Sequence, residues 1–187
     1  MSTSSQPVRA TCLRLARLAQ LGDVLHANQT ETAVWLALEQ VLSEFYGHSL
    51  FTVLAFSKQG VAVRLYSTNT DLHPLGFRTK HSAAHRETGT WTQQVLVDGK
   101  IWRGSVREDL KAAFEDWEQL WLAGLGSVMN IPVRLNGVTI GSLNILDQEH
   151  KYDGVDLKLG ILIAQIMACF VHRVSEETSK KHHADET

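Results

Sequence analysis

The stretch GSVMNIPVRLNGVTIGSLNILD, Gly126 to Asp147, constrains the fold of this chain more than any other. Two apolar runs flank Asn136-Gly137. An Asn-Gly pair in that setting signals a two-residue hairpin, because both turn positions need positive φ. Each run carries an asparagine, Asn130 or Asn144, where a buried strand should be apolar. With a two-residue turn, Asn130 lies opposite Leu143 and Met129 opposite Asn144. Paired residues share a face and side chains alternate along a strand. The asparagines are therefore expected on opposite faces. Met129, Ile131, Val133, Ile140, Ser142, Asn144 and Leu146 would meet the terminal helices. Val128, Asn130, Pro132, Arg134, Thr139, Gly141 and Leu143 would form the more polar face. Asn130 is then the ligand candidate, and Asn144 a buried amide tied to nearby backbone or helix groups. A bulge would shift this register and undo the assignment.

The flanking sequence supplies the other elements. Residues 8 to 27 read as a helix with Leu15, Leu18, Leu21 and Leu25 on one face. A second helix carries Val34, Leu38, Val41, Leu42 and Phe45, with Asn28 and Glu31 as a capping box and Gly47 as its stop. SLFTVLAFS and VAVRLYST read as strands joined by the turn KQG. Residues 69 to 90 have no clear period, and such long connections are usually functional or mobile. Thr90 and Gln93 would cap a short helix, WTQQVLVD, which Gly99 stops. KIWRG reads as a short strand. Ser105 and Glu108 would open a helix to Ala123 with Leu110, Phe114, Trp117 and Trp121 as its stripe. The last helix is apolar almost all round to Val171 and then turns polar.

The fold class is therefore α/β of the α+β type. A central antiparallel sheet of about five to six strands has terminal helices on one face, with loops and short helices enclosing a pocket on the other. The run LGILIAQIMACFV, Leu159 to Val171, falls short of the roughly 20 residues a membrane-spanning helix needs, so a buried helix is expected. With 18 basic and 20 acidic residues and no basic block, no nucleic-acid partner is expected. Cys12 and Cys169 form no disulfide framework and fit a reducing cytoplasm. The start, MSTSSQPVRA, has no apolar core, so no signal peptide is expected.

Four pieces carry a family resemblance: SLFTVLAFS, GTWTQQVLVDGKIWRGSVREDL, LGSVMNIPVRLNGVTIGSLNILD and YDGVDLKLGILIAQIMACFV. Over roughly residues 25 to 172 the chain resembles the GAF domain. The third piece is the most specific, with Pro in its first strand, a Gly turn, and Ile-Gly before a second apolar strand. The resemblance implies a small-molecule pocket, a sensory or regulatory role and dimerisation through terminal helices. Domains are expected at 1–24 (N-terminal helix, dimerisation), 25–172 (GAF-like) and 173–187 (flexible polar tail).

Three specialisations of that family do not fit. Free methionine-R-sulfoxide reductases need cysteines near the pocket, and bilin attachment needs a suitably placed one. Cys12 and Cys169 lie on the first and last helices instead. The Asn-Lys-Phe signature for cyclic nucleotides, with its later Asp-Glu pair, is missing.

Four of the five tryptophans, Trp91, Trp102, Trp117 and Trp121, fall in the expected pocket segment. Concave sites are mostly apolar and aromatic with a few placed polar groups. His81 and His85 share an i, i+4 spacing, but Ser82 stands where a zinc-protease motif needs Glu. They are read as donors to an anionic or carbonyl ligand, with Arg78, Lys80 and Arg86 nearby. No nucleophile elbow, Walker loop or dinucleotide fingerprint occurs. The expected ligand-binding residues are Phe77, His81, His85, Trp91, Trp102, Trp117, Trp121 and Asn130. No catalytic residue, metal or cofactor is assigned. The expected partners are a small molecule, a second copy of the chain and a protein carrying the output; no membrane is expected. An enzyme using the same pocket and a dimerisation scaffold with a filled pocket are the alternatives.

Overall fold

The computed structural model describes residues 5–27, 29–56, 62–77 and 90–185. The chain forms two compact units, Met1–Gly47 and His48–Thr187. The first holds α1 (Ser5–His26) and α2 (Glu31–Phe45). Thr30 caps α2, its hydroxyl accepting from Ala33 N at 3.3 Å. The expected cap residue Asn28 lies outside the described residues. Gly47, at φ 69°, ends the helix in a conformation that glycine takes without steric cost. Leu18 and Leu21 of α1 are buried, as are Val34, Leu38, Val41 and Leu42 of α2, whereas Leu15 is exposed. The two helices are joined by Arg17 Nε to Glu44 Oε2 at 2.8 Å.

The second unit is built on a six-stranded antiparallel sheet of order β3-β2-β1-β6-β5-β4. Its strands are β1 (Leu50–Phe56), β2 (Ala62–Ser67), β3 (Gly76–Phe77), β4 (Trp102–Gly104), β5 (Ser127–Leu135) and β6 (Val138–Asp147). The two-residue turn forms as expected: Leu135 pairs with Val138, and Asn136 and Gly137 sit at φ 52° and 80°. One turn further on, the register departs from expectation. Arg134 pairs with Thr139 but Val133 pairs with Gly141, so Ile140 is an extra residue. This bulge moves every later β6 side chain to the other face.

Phe51, Val53, Met129, Ile131, Val133, Leu143 and Ile145 therefore point one way, toward α6 (Leu157–Asp185). Ile163, Ala164, Met167 and Val171 of α6 are fully buried on that face. Leu157–His182 is long and apolar enough to cross a membrane by length and composition, beyond the shorter run read from the sequence. Its packing on the sheet accounts for the apolar side that carries Ile163, Ala164, Met167 and Val171. Its other side is not covered: Ile161, Leu162 and Cys169 are exposed. The polar stretch expected as a flexible tail is helical to Asp185, with Arg173–Glu177 paired one turn apart.

The opposite face is covered by α3 (Thr90–Thr92), which runs on as a π-helical turn over Gln93–Val97, and by α4 (Arg107–Ala113) and α5 (Trp117–Leu122). The single helix expected from Ser105 to Ala123 is two, because Phe114 is extended (φ −131°, ψ 134°). Its start also differs. Asp109, not Glu108, accepts from the Ser105 and Val106 amides at 2.8 and 3.2 Å, and the Ser105 hydroxyl donates to Asp153. At one end of this face, Leu50, Val128 and Leu146 pack with Val95, Leu110, Leu120, Leu125 and Trp102 into an apolar cluster.

Candidate functional site

Beside that cluster the same sheet face turns polar. Trp102, Asn130, Asn144 and Thr52 stand opposite one another on β4, β5, β6 and β1. The two asparagines are thus a cross-strand pair on one face, not on opposite faces, and the Ile140 bulge is the reason. Asn130 Nδ2 donates to Asn144 Oδ1 at 2.6 Å, and Asn144 Nδ2 donates to Thr52 Oγ1 at 3.3 Å. Asn144 is tied to side chains rather than to the backbone or helix groups expected for it. The next row on this face holds Ser142, opposite Leu54 and Pro132, with Arg64 beyond Leu54 on β2. Thr52, Asn130, Ser142 and Asn144 are all at most 4% exposed.

These groups are not all satisfied. Among the described residues, Asn130 Oδ1, Ser142 Oγ and Trp91 Nε1 are buried without a hydrogen-bond partner, and so are Arg134 Nε and both ring nitrogens of His73. Burying a polar atom without a partner costs about 1–3 kcal/mol, and native structures hold few such atoms. The rings nearby are arranged edge to face: Trp102 against Phe114 with centroids 5.8 Å apart, and Trp91 against Phe114 at 6.3 Å. The break between α4 and α5 lets Phe114 stand between the two indoles.

Two of the charged groups on this side bond to backbone carbonyls. Arg64 Nη1 donates to the Pro74 carbonyl at 3.1 Å. Arg134 Nη2 donates to the Gly137 carbonyl. His73 Nε2 lies 3.3 Å from Asp116 Oδ2, an ion-pair distance without hydrogen-bond alignment. The π-helical turn is fastened by Gln94 Nε2 to the Ile101 carbonyl at 2.6 Å and by Thr139 Oγ1 to the Val95 carbonyl at 3.0 Å. Such turns are rare and are often found at functional sites.

Of the residues singled out from sequence, Asn130, Trp91 and Trp102 come together. Trp117 packs against the apolar cluster on its inner side. Arg107 covers both Trp117 and Trp121 with its guanidinium, at 4.8 and 5.1 Å from the ring centroids. These two indoles belong to the outer layer. Phe77 does not join the group. It pairs with Val63, whose neighbour across β1 is Ala55 on the α6 side, and its ring stacks on His182 at 4.2 Å. His81, His85, Arg78, Lys80 and Arg86 lie outside the described residues. Thr52, Ser142 and Asn144 were missed as site residues. Their signal in sequence is a polar side chain within an apolar strand, but only the register brings them to one row. Cys12 and Cys169 are both exposed, on α1 and α6. No group of three metal-binding side chains occurs among the described residues.

Comparison with solved structures identifies this architecture. The GAF domain of an Acinetobacter phosphoenolpyruvate-protein phosphotransferase aligns with a TM-score of 0.62 at 8% identity, over 94% of this chain and 97% of that one. The corresponding domain from Coxiella burnetii gives 0.61 at 14% identity, over 91% and 96%. The GAF domain of a two-component sensor histidine kinase from Bacillus halodurans gives 0.56 at 15% identity, over 79% and 97%. No protein-family model matches the sequence, and no curated protein matches it. The fold is that of a GAF domain.

Proposed function

We propose that this GAF-fold chain is a sensory or regulatory domain that binds a small molecule on the sheet face opposite α6. The observation that carries the reading is the set of unpartnered buried atoms on that face, Asn130 Oδ1, Ser142 Oγ and Trp91 Nε1. Their cost is recovered if a ligand completes their hydrogen bonds. The solved relatives support the sensory part, since one is the GAF domain of a two-component sensor histidine kinase. Trp91, Trp102 and Asn130 would contact the ligand directly. Asn144 and Thr52 would hold Asn130 in place, and His81 and His85 would contribute from the segment after β3.

Ligand capture would order the segment covering this face and pass to α6, which packs on the other side of the same strands. The chain would work in the cytoplasm as a homodimer through its terminal helices, residues 1–24 included, with a protein partner carrying the output. The exposed Ile161 and Leu162 of α6 favour such a contact. A redox enzyme is the weaker reading, because both cysteines are exposed on helices and neither stands on this face. A scaffold with a filled pocket is favoured only by the Trp102 cluster, which occupies one end of the face and leaves the amide row outside it.

The test is native mass spectrometry of the protein purified from its own host. The wild type should retain a small molecule that Asn130→Leu loses. A molecule retained equally by both proteins would place the site elsewhere, and turnover lost in His81→Ala or His85→Ala would favour the enzyme.

A further inference from the structure

The outer layer of helices carries a second arrangement of rings. Trp117 and Trp121 stand one turn apart on α5, so both indoles project from one side of that helix. The Arg107 guanidinium lies 4.8 Å from the Trp117 centroid and 5.1 Å from the Trp121 centroid, and Lys111 Nζ lies 5.3 Å from the Trp117 centroid. These rings already act as seats for cations, which are drawn to the negative face of the indole. Trp117 packs against the apolar cluster, yet both indoles stay partly exposed. Leu122, the next residue, is 86% exposed.

The charge around these rings favours a further cation. From Arg107 to Leu122 the sequence holds two basic and five acidic residues, a net of −3, against −2 for the whole chain. Two of the acids are engaged: Asp109 accepts from the Ser105 and Val106 amides, and Asp116 stands beside His73. Glu108, Glu115 and Glu118 are exposed, and none forms an ion pair among the described residues. Arg107 and Lys111 lie over the rings instead of pairing with them. An exposed cation–π contact is weak, so a cation seated this way can exchange for another. Tryptophan and arginine are among the residues enriched at the energetic centres of protein interfaces.

We propose that α4 and α5 present a docking surface for a basic, partly apolar segment of a partner protein. A lysine or arginine of that segment takes the indole faces that Arg107 occupies in the free chain. Leu122 packs on an apolar residue of the segment, and Glu108, Glu115 and Glu118 supply the counter-charge. Arg107 is a built-in competitor for the partner's cation. The surface needs no ligand on the sheet face, and its failure leaves that site untouched.

The test presents the full chain with three labelled peptides of one length: a helical peptide of lysine and leucine, and its counterparts with glutamine or glutamate in place of every lysine. Binding is read by fluorescence anisotropy. The lysine peptide should bind saturably, and the other two about tenfold more weakly or not at all. Leu122→Ala and Glu118→Gln, both at exposed positions, should each weaken the lysine peptide severalfold, whereas Glu176→Gln at an exposed position of α6 should not. Arg107→Gln should tighten it severalfold, by vacating the ring faces as well as removing a like charge. Lys158→Gln, which removes the same charge from an exposed position of α6, should not. Equal binding of the glutamate peptide, or no binding of any peptide, overturns the docking surface. So does lysine-peptide binding that is unchanged in Leu122→Ala and Glu118→Gln, or weaker in Arg107→Gln. Self-association of the wild type in sedimentation equilibrium that Leu122→Ala abolishes would make the occupant a second copy of the chain and overturn the partner class.

Discussion

Removing one amide from the Thr52–Asn144–Asn130 chain strands its neighbour. In Asn144→Leu the Asn130 NH2 loses its acceptor, and in Asn130→Leu the Asn144 carbonyl loses its donor. Each single change should lower the unfolding free energy by about 1–3 kcal/mol, the penalty for a buried polar group left unmatched. The double change to leucine removes both amides and should cost clearly less than the two singles together. Urea unfolding of the four proteins measures this directly. A strictly additive double variant would mean the amides do not depend on each other. The pairing was not legible because a two-residue turn predicts a register that holds only as far as Arg134 and Thr139. Nothing in VTIGS marks Ile140 as the extra residue, since a bulge is decided by twist and packing across strands. Asn130 and the two inner tryptophans were legible because a polar atom in an apolar run, and indoles in a pocket segment, are local signals. Phe77 was misplaced because its face is set by pairing with Val63.

At the scale of elements, periodicity carried most of the fold. The Asn136-Gly137 hairpin, the β1–β2 pair and both terminal helices formed where apolar spacing and turn chemistry put them. The stretch from Ser105 to Ala123 is the exception. It holds an unbroken helical stripe with no Gly or Pro, yet it breaks at Phe114, whose ring packs edge to face with Trp91 and Trp102. Gly141 shows the same dominance of packing in β6. It lies opposite Ala55 and Val133 on the α6 side. A Cβ added there would collide with the Leu54 carbonyl oxygen and press on Val171. Backbone cannot move aside as a flexible side chain can. Gly141→Ala should therefore destabilise by about 1–3 kcal/mol, seen as an earlier urea midpoint with an unchanged slope. A neutral effect would show that β6 can slide away from β1 without loss.

Across the whole molecule, two adjacent residues between β6 and α6 set limits on stability at opposite ends of the pH scale. Burial is the main force that pushes the Tyr152 phenol far above its ordinary value of 10.0, and the negative charge of Asp147 adds to it. Asp153 is exposed, and its carboxyl is held below its ordinary 3.8 first by the Ser105 hydroxyl and then by His150. Ser105 Oγ reaches it at 2.6 Å and His150 Nδ1 at 2.9 Å. For the phenol, the unfolded chain gives up its proton above pH 10 while the folded chain keeps it. Its contribution is complete below that pH and is lost as pH rises. For the carboxyl, the unfolded chain takes up a proton below pH 3.8 while the folded chain still resists. Its contribution is complete above that pH and falls away as the pH drops toward the lowered value. Stability measured by urea midpoint should therefore be flat between these limits and decline beyond both. Tyr152→Phe should flatten the alkaline decline and leave the acid one, and Asp153→Asn should do the reverse. Ser105→Ala, which removes the first cause at Asp153, should shrink the acid effect without touching the alkaline limb. A Tyr152→Phe protein with an unchanged alkaline decline would mean that other groups set that limit. The fall would then report general charge repulsion rather than the opening of the loop that feeds α6.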